Sequence, residues 1–141
     1  MNATEVRPAK VLLGILSTDV HTRASIIVAQ ALRDAGMEVV YLGFGLTPAG
    51  LVQAAVEEDP DVVCLSTHEG FHMQLFPKVI DLMKEQGLDV PVVAGGNIQD
   101  HEKPFLESLG ITGNFANGTG LELIVEHVKE RAWEKQQAAA G

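Results

Sequence analysis

Residues 17–24 read Ser17-Thr18-Asp19-Val20-His21-Thr22-Arg23-Ala24, and the rest of the fold can be placed around this stretch. The apolar residues 11–16 before it predict a buried strand, and apolar residues at helical spacing follow it. Parallel α/β sheets carry their binding residues in such polar strand-to-helix loops. A carboxylate near a histidine can hold the imidazole in one tautomer and leave its other nitrogen free to bind a metal. The alternative interpretation of Asp19 and His21 is a helix cap beside a surface histidine.

The composition indicates one acidic domain with an aliphatic core. The chain has 141 residues, of which 46% are hydrophobic and only 5% aromatic, and this length suits a single core. Its formal net charge of −9 repels phosphate backbones, which argues against nucleic-acid binding. A lone cysteine, Cys64, excludes a disulfide within the chain, and no apolar run approaches the length of a bilayer span. We therefore expect a cytoplasmic protein that binds neither nucleic acid nor membrane.

Strand and helix patterns alternate along the sequence. Strands are expected at 10–16, 38–42, 61–66, 90–94 and 113–116, and helices at 21–35, 47–58, 71–86, 101–109 and 120–133. This alternation predicts an α/β fold, a single Rossmann-like (flavodoxin-like), doubly wound sheet of five parallel strands in the order 2-1-3-4-5. Residues 1–9 are expected to form a flexible lead-in, 10–133 the domain, and 134–141 a frayed tail.

The predicted strand order also predicts where the binding site lies. The chain reverses direction between the first and third strands, so the loops that follow these two strands face each other across a crevice. One loop carries Asp19 and His21, and the other spans residues 66–70. We expect the site in this crevice.

Several motifs in register give the chain a resemblance to the cobalamin-binding domain of adenosylcobalamin-dependent mutases and of methionine synthase. That family carries Asp-x-His-x-x-Gly after the first strand, Ser-x-Leu after the third, and Gly-Gly after the fourth. The corresponding residues here are 19–24, 66–68 and 95–96, and a later Gly118-Thr119 also matches. The resemblance covers Lys10 to Arg131. Two residues depart from the pattern, because Ala24 replaces the glycine and His68 replaces the leucine.

The resemblance implies how the cofactor is held. Cobalamin would bind with its dimethylbenzimidazole base detached from cobalt, and His21 would ligate the metal in its place while Asp19 orients the imidazole. The detached base would enter the crevice, where Ser66 could hydrogen-bond its buried nitrogen. The cofactor-binding residues that the resemblance implies are Asp19, His21, Thr22, Arg23, Ala24, Ser66, Thr67, His68, Gly95, Gly96, Asn97, Gly118 and Thr119.

The resemblance also implies a division of labour between two chains. This chain would be the small subunit of a mutase of the methylmalonyl-CoA, acyl-CoA or glutamate type. It would hold adenosylcobalamin for a 1,2-rearrangement while a separate, larger barrel subunit binds the substrate. No catalytic residue is expected in this chain, which would be inactive alone. The alternative is a cobalamin carrier or sensor, or a corrinoid methyl-transfer protein, with no mutase partner.

A second alternative comes from residues 68–72, His-Glu-Gly-Phe-His, which match the His-Glu-x-x-His pattern of zinc peptidases. The match follows directly on a strand and contains a glycine, so it lacks the helical context that peptidase chemistry needs. His21, His68 and His72 could still converge at the crevice and bind zinc. Otherwise His72 is expected to face solvent on the third helix.

Overall fold

Strands and helices alternate along the residues that the computed structural model describes, which are 7–16, 23–67 and 72–140. The strands are β1 (Lys10–Leu16), β2 (Glu38–Leu46), β3 (Val62–Thr67), β4 (Val92–Gly96) and β5 (Ile111–Ala116). The α-helices are α1 (Arg23–Asp34), α2 (Pro48–Glu58), α3 (His72–Glu85), α4 (Lys103–Ser108) and α5 (Leu121–Ala140), and a short 3-10 helix, Asp100–Glu102, precedes α4. Within the described residues, no helix is long and apolar enough to cross a membrane.

The strands form one parallel sheet in the order β2-β1-β3-β4-β5, which confirms the predicted fold. Helices α1 and α5 pack on one face around Leu32 and Val128, and the other helices pack on the opposite face around Phe76 and Leu106. The central strands are continuous aliphatic runs because both of their faces are covered. With this strand order, the predicted crevice lies at the carboxyl ends of β1 and β3.

Helix α2 begins where the sequence predicted. Thr47 caps it by accepting a hydrogen bond from the Gly50 N–H at 3.0 Å, and Pro48 occupies the first helical position, where its missing N–H costs nothing. Because Asp59 closes the helix in the left-handed conformation, the chain turns sharply into β3.

Two element boundaries differ from the prediction by more than two residues. Strand β2 continues to Leu46, with register shifts against β1 that start after Leu13. Helix α5 continues to Ala140 instead of ending near Trp133, since the sequence there consists mainly of strong helix formers. This last part of α5 also contacts the domain, because Lys135 Nζ donates to the Asp89 carbonyl at 2.7 Å and Gln136 Nε2 donates to the Arg7 carbonyl at 3.1 Å.

The amino end of β1 is held by one buried carboxylate. Asp61 is 2% exposed and accepts hydrogen bonds from both terminal nitrogens of Arg7, at 2.6 and 2.7 Å, and from the Lys10 N–H at 2.8 Å. This pairing raises the pKa of the Arg7 guanidinium above its usual value. Asp61 therefore connects residues 7–10 to the start of β3.

Asp61→Asn is expected to lower the free energy of unfolding by about 1–2 kcal/mol, because the amide loses the charge that strengthens the Arg7 hydrogen bonds. Urea unfolding followed by circular dichroism measures the change. Asp59→Asn is the matched control, since Asp59 is exposed and asparagine tolerates its left-handed backbone. Equal losses in the two variants would show that Asp61 contributes nothing specific.

Candidate functional site

A cavity of about 210 Å³ opens at the carboxyl edge of the sheet, between α1 and α5. Its floor consists of Leu13 of β1, Cys64 of β3 and Val93 of β4. The cavity lies where neighbouring crossovers leave the sheet on opposite faces, which is the usual binding position in doubly wound folds. The cavity therefore lies at the crevice inferred from the strand order.

Six of the predicted cofactor residues line this cavity, namely Ala24, Ser66, Gly95, Gly96, Gly118 and Thr119. Three others, Arg23, Thr67 and Asn97, are described by the structure but do not line it. Asp19, His21, Thr22 and His68 lie outside the described residues. The structure thus brings together residues from four separate motifs of the sequence.

Gly96 allows the ends of β3 and β4 to lie unusually close together. Its φ is +125°, and a Cβ placed on it would lie 2.0 Å from the carbonyl oxygen of Thr67. The same oxygen accepts a hydrogen bond from the Asn97 N–H at 3.0 Å. Thr67 and Asn97 therefore join the two strand ends, and the fully buried Thr67 side chain lies away from the cavity.

The rim beyond β5 is a tight turn. Gly118 has a φ of +88°, and the Thr119 hydroxyl donates to the Ala116 carbonyl at 2.7 Å. Because the hydroxyl proton is used in this bond, the oxygen of Thr119 is left to accept a hydrogen bond from a ligand. This turn gives the mouth of the cavity one of its few polar groups.

Sequence reasoning missed the apolar walls of the cavity. Ile27 and Val28 of α1 form one wall, and Ile124 and Val128 of α5 form the other. Their spacing of one and four residues is the usual mark of a helix face that packs inward. The pattern was visible in the sequence, but it could not show that the two helices leave a gap between them.

Phe115 was also missed, because its orientation depends on an irregular strand. Thr112 pairs with Val93 and Phe115 with Gly95, so β5 carries one extra residue between these pairs. Gly113 and Asn114 both have positive φ there. The bulge turns Phe115 toward the cavity, where its ring meets the edge of the His127 ring at a centroid distance of 5.5 Å.

The chemistry of the cavity is mainly that of an apolar slot. Burial raises the pKa of the Cys64 thiol to about 12, so the thiol remains neutral and does not act as a thiolate ligand. Such an apolar lining with a few polar groups at the rim suits a flat, largely apolar ring.

His72 does not face solvent, so that expectation was wrong. It is 2% exposed, and its Nε2–H donates to Glu102 Oε1 at 2.7 Å. Phe76 lies four residues further along the same inward face of α3, a spacing from which the burial could have been inferred. Glu102 also accepts from the Gln99 N–H at 2.9 Å, so the pair connects the start of α3 to the segment after β4.

The zinc hypothesis gains no support from the described part of the chain, which holds no group of three His, Cys, Asp or Glu residues placed to bind a metal ion. His21 and His68, on which the hypothesis depends, lie outside it. A zinc site formed by these two residues with His72 therefore stays an untested prediction.

The chain is similar to known cobalamin proteins over most of its length. Residues 9–122 match the family model described as "B12 binding domain". The chain is 37% identical to the 2-hydroxyisobutanoyl-CoA mutase small subunit of Aquincola tertiaricarbonis, over 86% of this chain and 90% of the relative. It is 41% identical to the pivalyl-CoA mutase small subunit of Xanthobacter autotrophicus, over 86% and 82%. A cobalamin-binding protein from Desulfitobacterium hafniense shares the fold, with a TM-score of 0.75 at 23% identity, over 88% of this chain and 59% of that protein.

Proposed function

Since the chain belongs to the B12-binding domain family, we propose that it is the small subunit of an adenosylcobalamin-dependent carbon-skeleton mutase. Its cofactor is cobalamin, and its relatives at 37% and 41% identity are small subunits of CoA-ester mutases. The observation that supports the proposal most directly is the cavity between α1 and α5, which gathers residues from four motifs at the carboxyl edge of the sheet. The chain would hold the cofactor and leave substrate binding to another subunit.

The described residues fit the nucleotide arm of the cofactor. The arm ends in a flat, largely apolar base, and the apolar walls and the volume of the cavity suit such a ring. The glycines at 95 and 96 leave backbone without side chains at the mouth, where the arm would pass. Ser66 lines the cavity and in this proposal hydrogen-bonds a nitrogen of the base, while Thr119 accepts a hydrogen bond at the rim.

The axial ligand in this proposal is His21, with Asp19 as the residue that orients its ring. A carboxylate that accepts the Nδ1 proton raises the basicity of the imidazole and leaves Nε2 to bind cobalt. When bound, adenosylcobalamin supplies radical chemistry through its cobalt–carbon bond. This chain contributes ligation, orientation and a cavity that keeps the base of the cofactor away from water.

The partner in this proposal is a larger subunit with a barrel fold that covers the open edge of the cavity. Apolar side chains are exposed near that edge, since Ile27 is 46% and Leu121 39% exposed while both line the cavity. Exposed apolar groups beside a binding site are typical of a surface that another molecule covers. We propose that the substrate is a CoA ester, as in the named relatives.

Titration of the purified chain with adenosylcobalamin and hydroxocobalamin tests the proposal. We expect saturable binding, and an absorbance spectrum of base-off, histidine-ligated cobalamin that His21→Ala abolishes. His101→Ala is the matched control, because His101 is exposed on the 3-10 helix. If the wild-type chain binds neither form, the proposed function is wrong; if His21→Ala leaves the spectrum unchanged, His21 is not the ligand.

A further inference from the structure

The start of α1 is attached to the sheet by two hydroxyl groups. Ser25 Oγ lies 2.9 Å from the phenol oxygen of Tyr41, which belongs to β2. Ser25 is 3% exposed, and it lies on the same inward face of α1 as Ala29 and Leu32. A hydroxyl at the end of an otherwise apolar face costs free energy unless it is hydrogen-bonded, so the bond to Tyr41 allows this end of α1 to pack on the sheet.

This bond lies beside the cavity, and Ser25 is close in sequence to the proposed axial ligand, His21. Ser25 lines the cavity, so any shift of the start of α1 moves one wall. Arg23, the first residue of α1, follows directly on residues 17–22, which include His21. Tyr41 lies on the edge strand β2 and pairs in register with Leu13 on the cavity floor, so β1 holds its backbone beside the cavity.

We propose that Tyr41 and Ser25 form a positioning pair that sets the place of the start of α1, and through it the axial histidine and the cavity wall. The inference rests on the proposed function, because it assigns these residues a role in cobalamin ligation. Neither residue contacts cobalt in this proposal. Each acts through the backbone of α1, and the two hydroxyl groups work as one unit.

The other end of α1 offers a matched control. Arg33 Nη2 donates to the Val39 carbonyl at 3.1 Å, which also ties α1 to β2, but at the amino end of the strand, remote from the cavity. Arg33→Met removes this bond and keeps an unbranched apolar stem. A general loss of α1 packing would affect both variants, whereas positioning of the cofactor site would affect only those at Tyr41 and Ser25.

The experiment is a titration of wild type, Tyr41→Phe, Ser25→Ala, the double variant and Arg33→Met with hydroxocobalamin, read by absorbance. Loss of one hydrogen bond predicts a Kd raised about 3- to 10-fold in Tyr41→Phe and Ser25→Ala, with the double variant no weaker than either. We also expect less histidine ligation in their spectra at saturation. Arg33→Met should retain the wild-type Kd and spectrum.

Hydrogen exchange of the free protein gives a readout that needs no cofactor. The amides near the start of α1 should exchange faster in Tyr41→Phe and Ser25→Ala than in wild type, and Arg33→Met should not show this increase. If wild type binds cobalamin and both hydroxyl variants keep its Kd and spectrum, the inference is overturned while the proposed function stands. If wild type does not bind, the proposed function itself fails.

Discussion

Gly96→Ala is expected to lower the free energy of unfolding by about 2–6 kcal/mol. The added methyl would lie 2.0 Å from the Thr67 carbonyl oxygen, far inside contact distance, so the ends of β3 and β4 would have to separate. Overpacking costs roughly 1–3 kcal/mol, and forcing a side chain onto a backbone φ of +125° costs roughly 1–3 kcal/mol more. The hydrogen bond from the Asn97 N–H to Thr67 would be lost when the strands separate. Urea unfolding measures the change.

Gly95→Ala is the matched control for this prediction. A Cβ on Gly95 would lie 3.5 Å from the Phe115 carbonyl oxygen and 3.8 Å from the Phe115 Cβ, which are ordinary contact distances. We expect its stability to stay within about 1 kcal/mol of wild type, as for a substitution without strain. Comparable losses in the two variants would contradict the assignment of the close approach to Gly96.

The variants Gly95→Ala and Gly96→Ala also distinguish the effect of backbone strain on cobalamin binding from the effect of filling the cavity. Gly95 lies on the same face of β4 as Val93, so a methyl there projects into the cavity without moving the strands. Gly95→Ala should therefore weaken cobalamin binding in a fully stable protein. Gly96→Ala should weaken it by separating the strand ends, and it should lower the free energy of unfolding as well.

The fold could be predicted from the sequence because its signals are local and consistent with one another. An aliphatic run such as residues 11–16 is typical of a strand buried on both faces, and Thr47 with Pro48 marks a helix start. The strand order was then predicted as that of the small doubly wound arrangement, which this alternation fits best. The late end of α5 was missed, since residues 134–140 lack an apolar face and are helical through their propensity and a few polar contacts.

The site was predicted only in part, because much of it depends on packing between elements distant in sequence. The glycines at 95 and 96 and the turn at Gly118 were identified through motifs. Phe115 could not be placed, because a one-residue bulge in β5 decides which face its ring takes. The bond between Ser25 and Tyr41 was equally invisible, since nothing in the pattern of either element points to the other.

His72→Ala is expected to lower the free energy of unfolding by about 2–4 kcal/mol. The ring is nearly fully buried and packs 6.0 Å from the Phe76 ring, so its loss leaves a void. Glu102, whose side chain is 14% exposed, would lose the Nε2–H donor and keep only the Gln99 N–H. The matched control is His101→Ala, which removes an exposed ring from the 3-10 helix that also carries Glu102. It should change the free energy of unfolding by less than about 0.5 kcal/mol. Equal losses of unfolding free energy in the two variants would show that the buried His72 ring does not stabilise the fold.

The charge of Glu102 adds a dependence on pH that distinguishes this pair from simple packing. The pKa of Glu102 is lowered, first by the hydrogen bond from the Gln99 N–H and then by that from His72. A lowered pKa in the folded state means that the unfolded chain takes up the proton first as the pH falls. The stabilisation is therefore complete above the ordinary value of 4.5 and is lost as the pH falls through the lowered pKa. Glu102→Gln, followed by urea unfolding from pH 7 to pH 3, should differ most from wild type at neutral pH and converge with it in acid. A constant difference across this range would mean that Glu102 acts only by its shape.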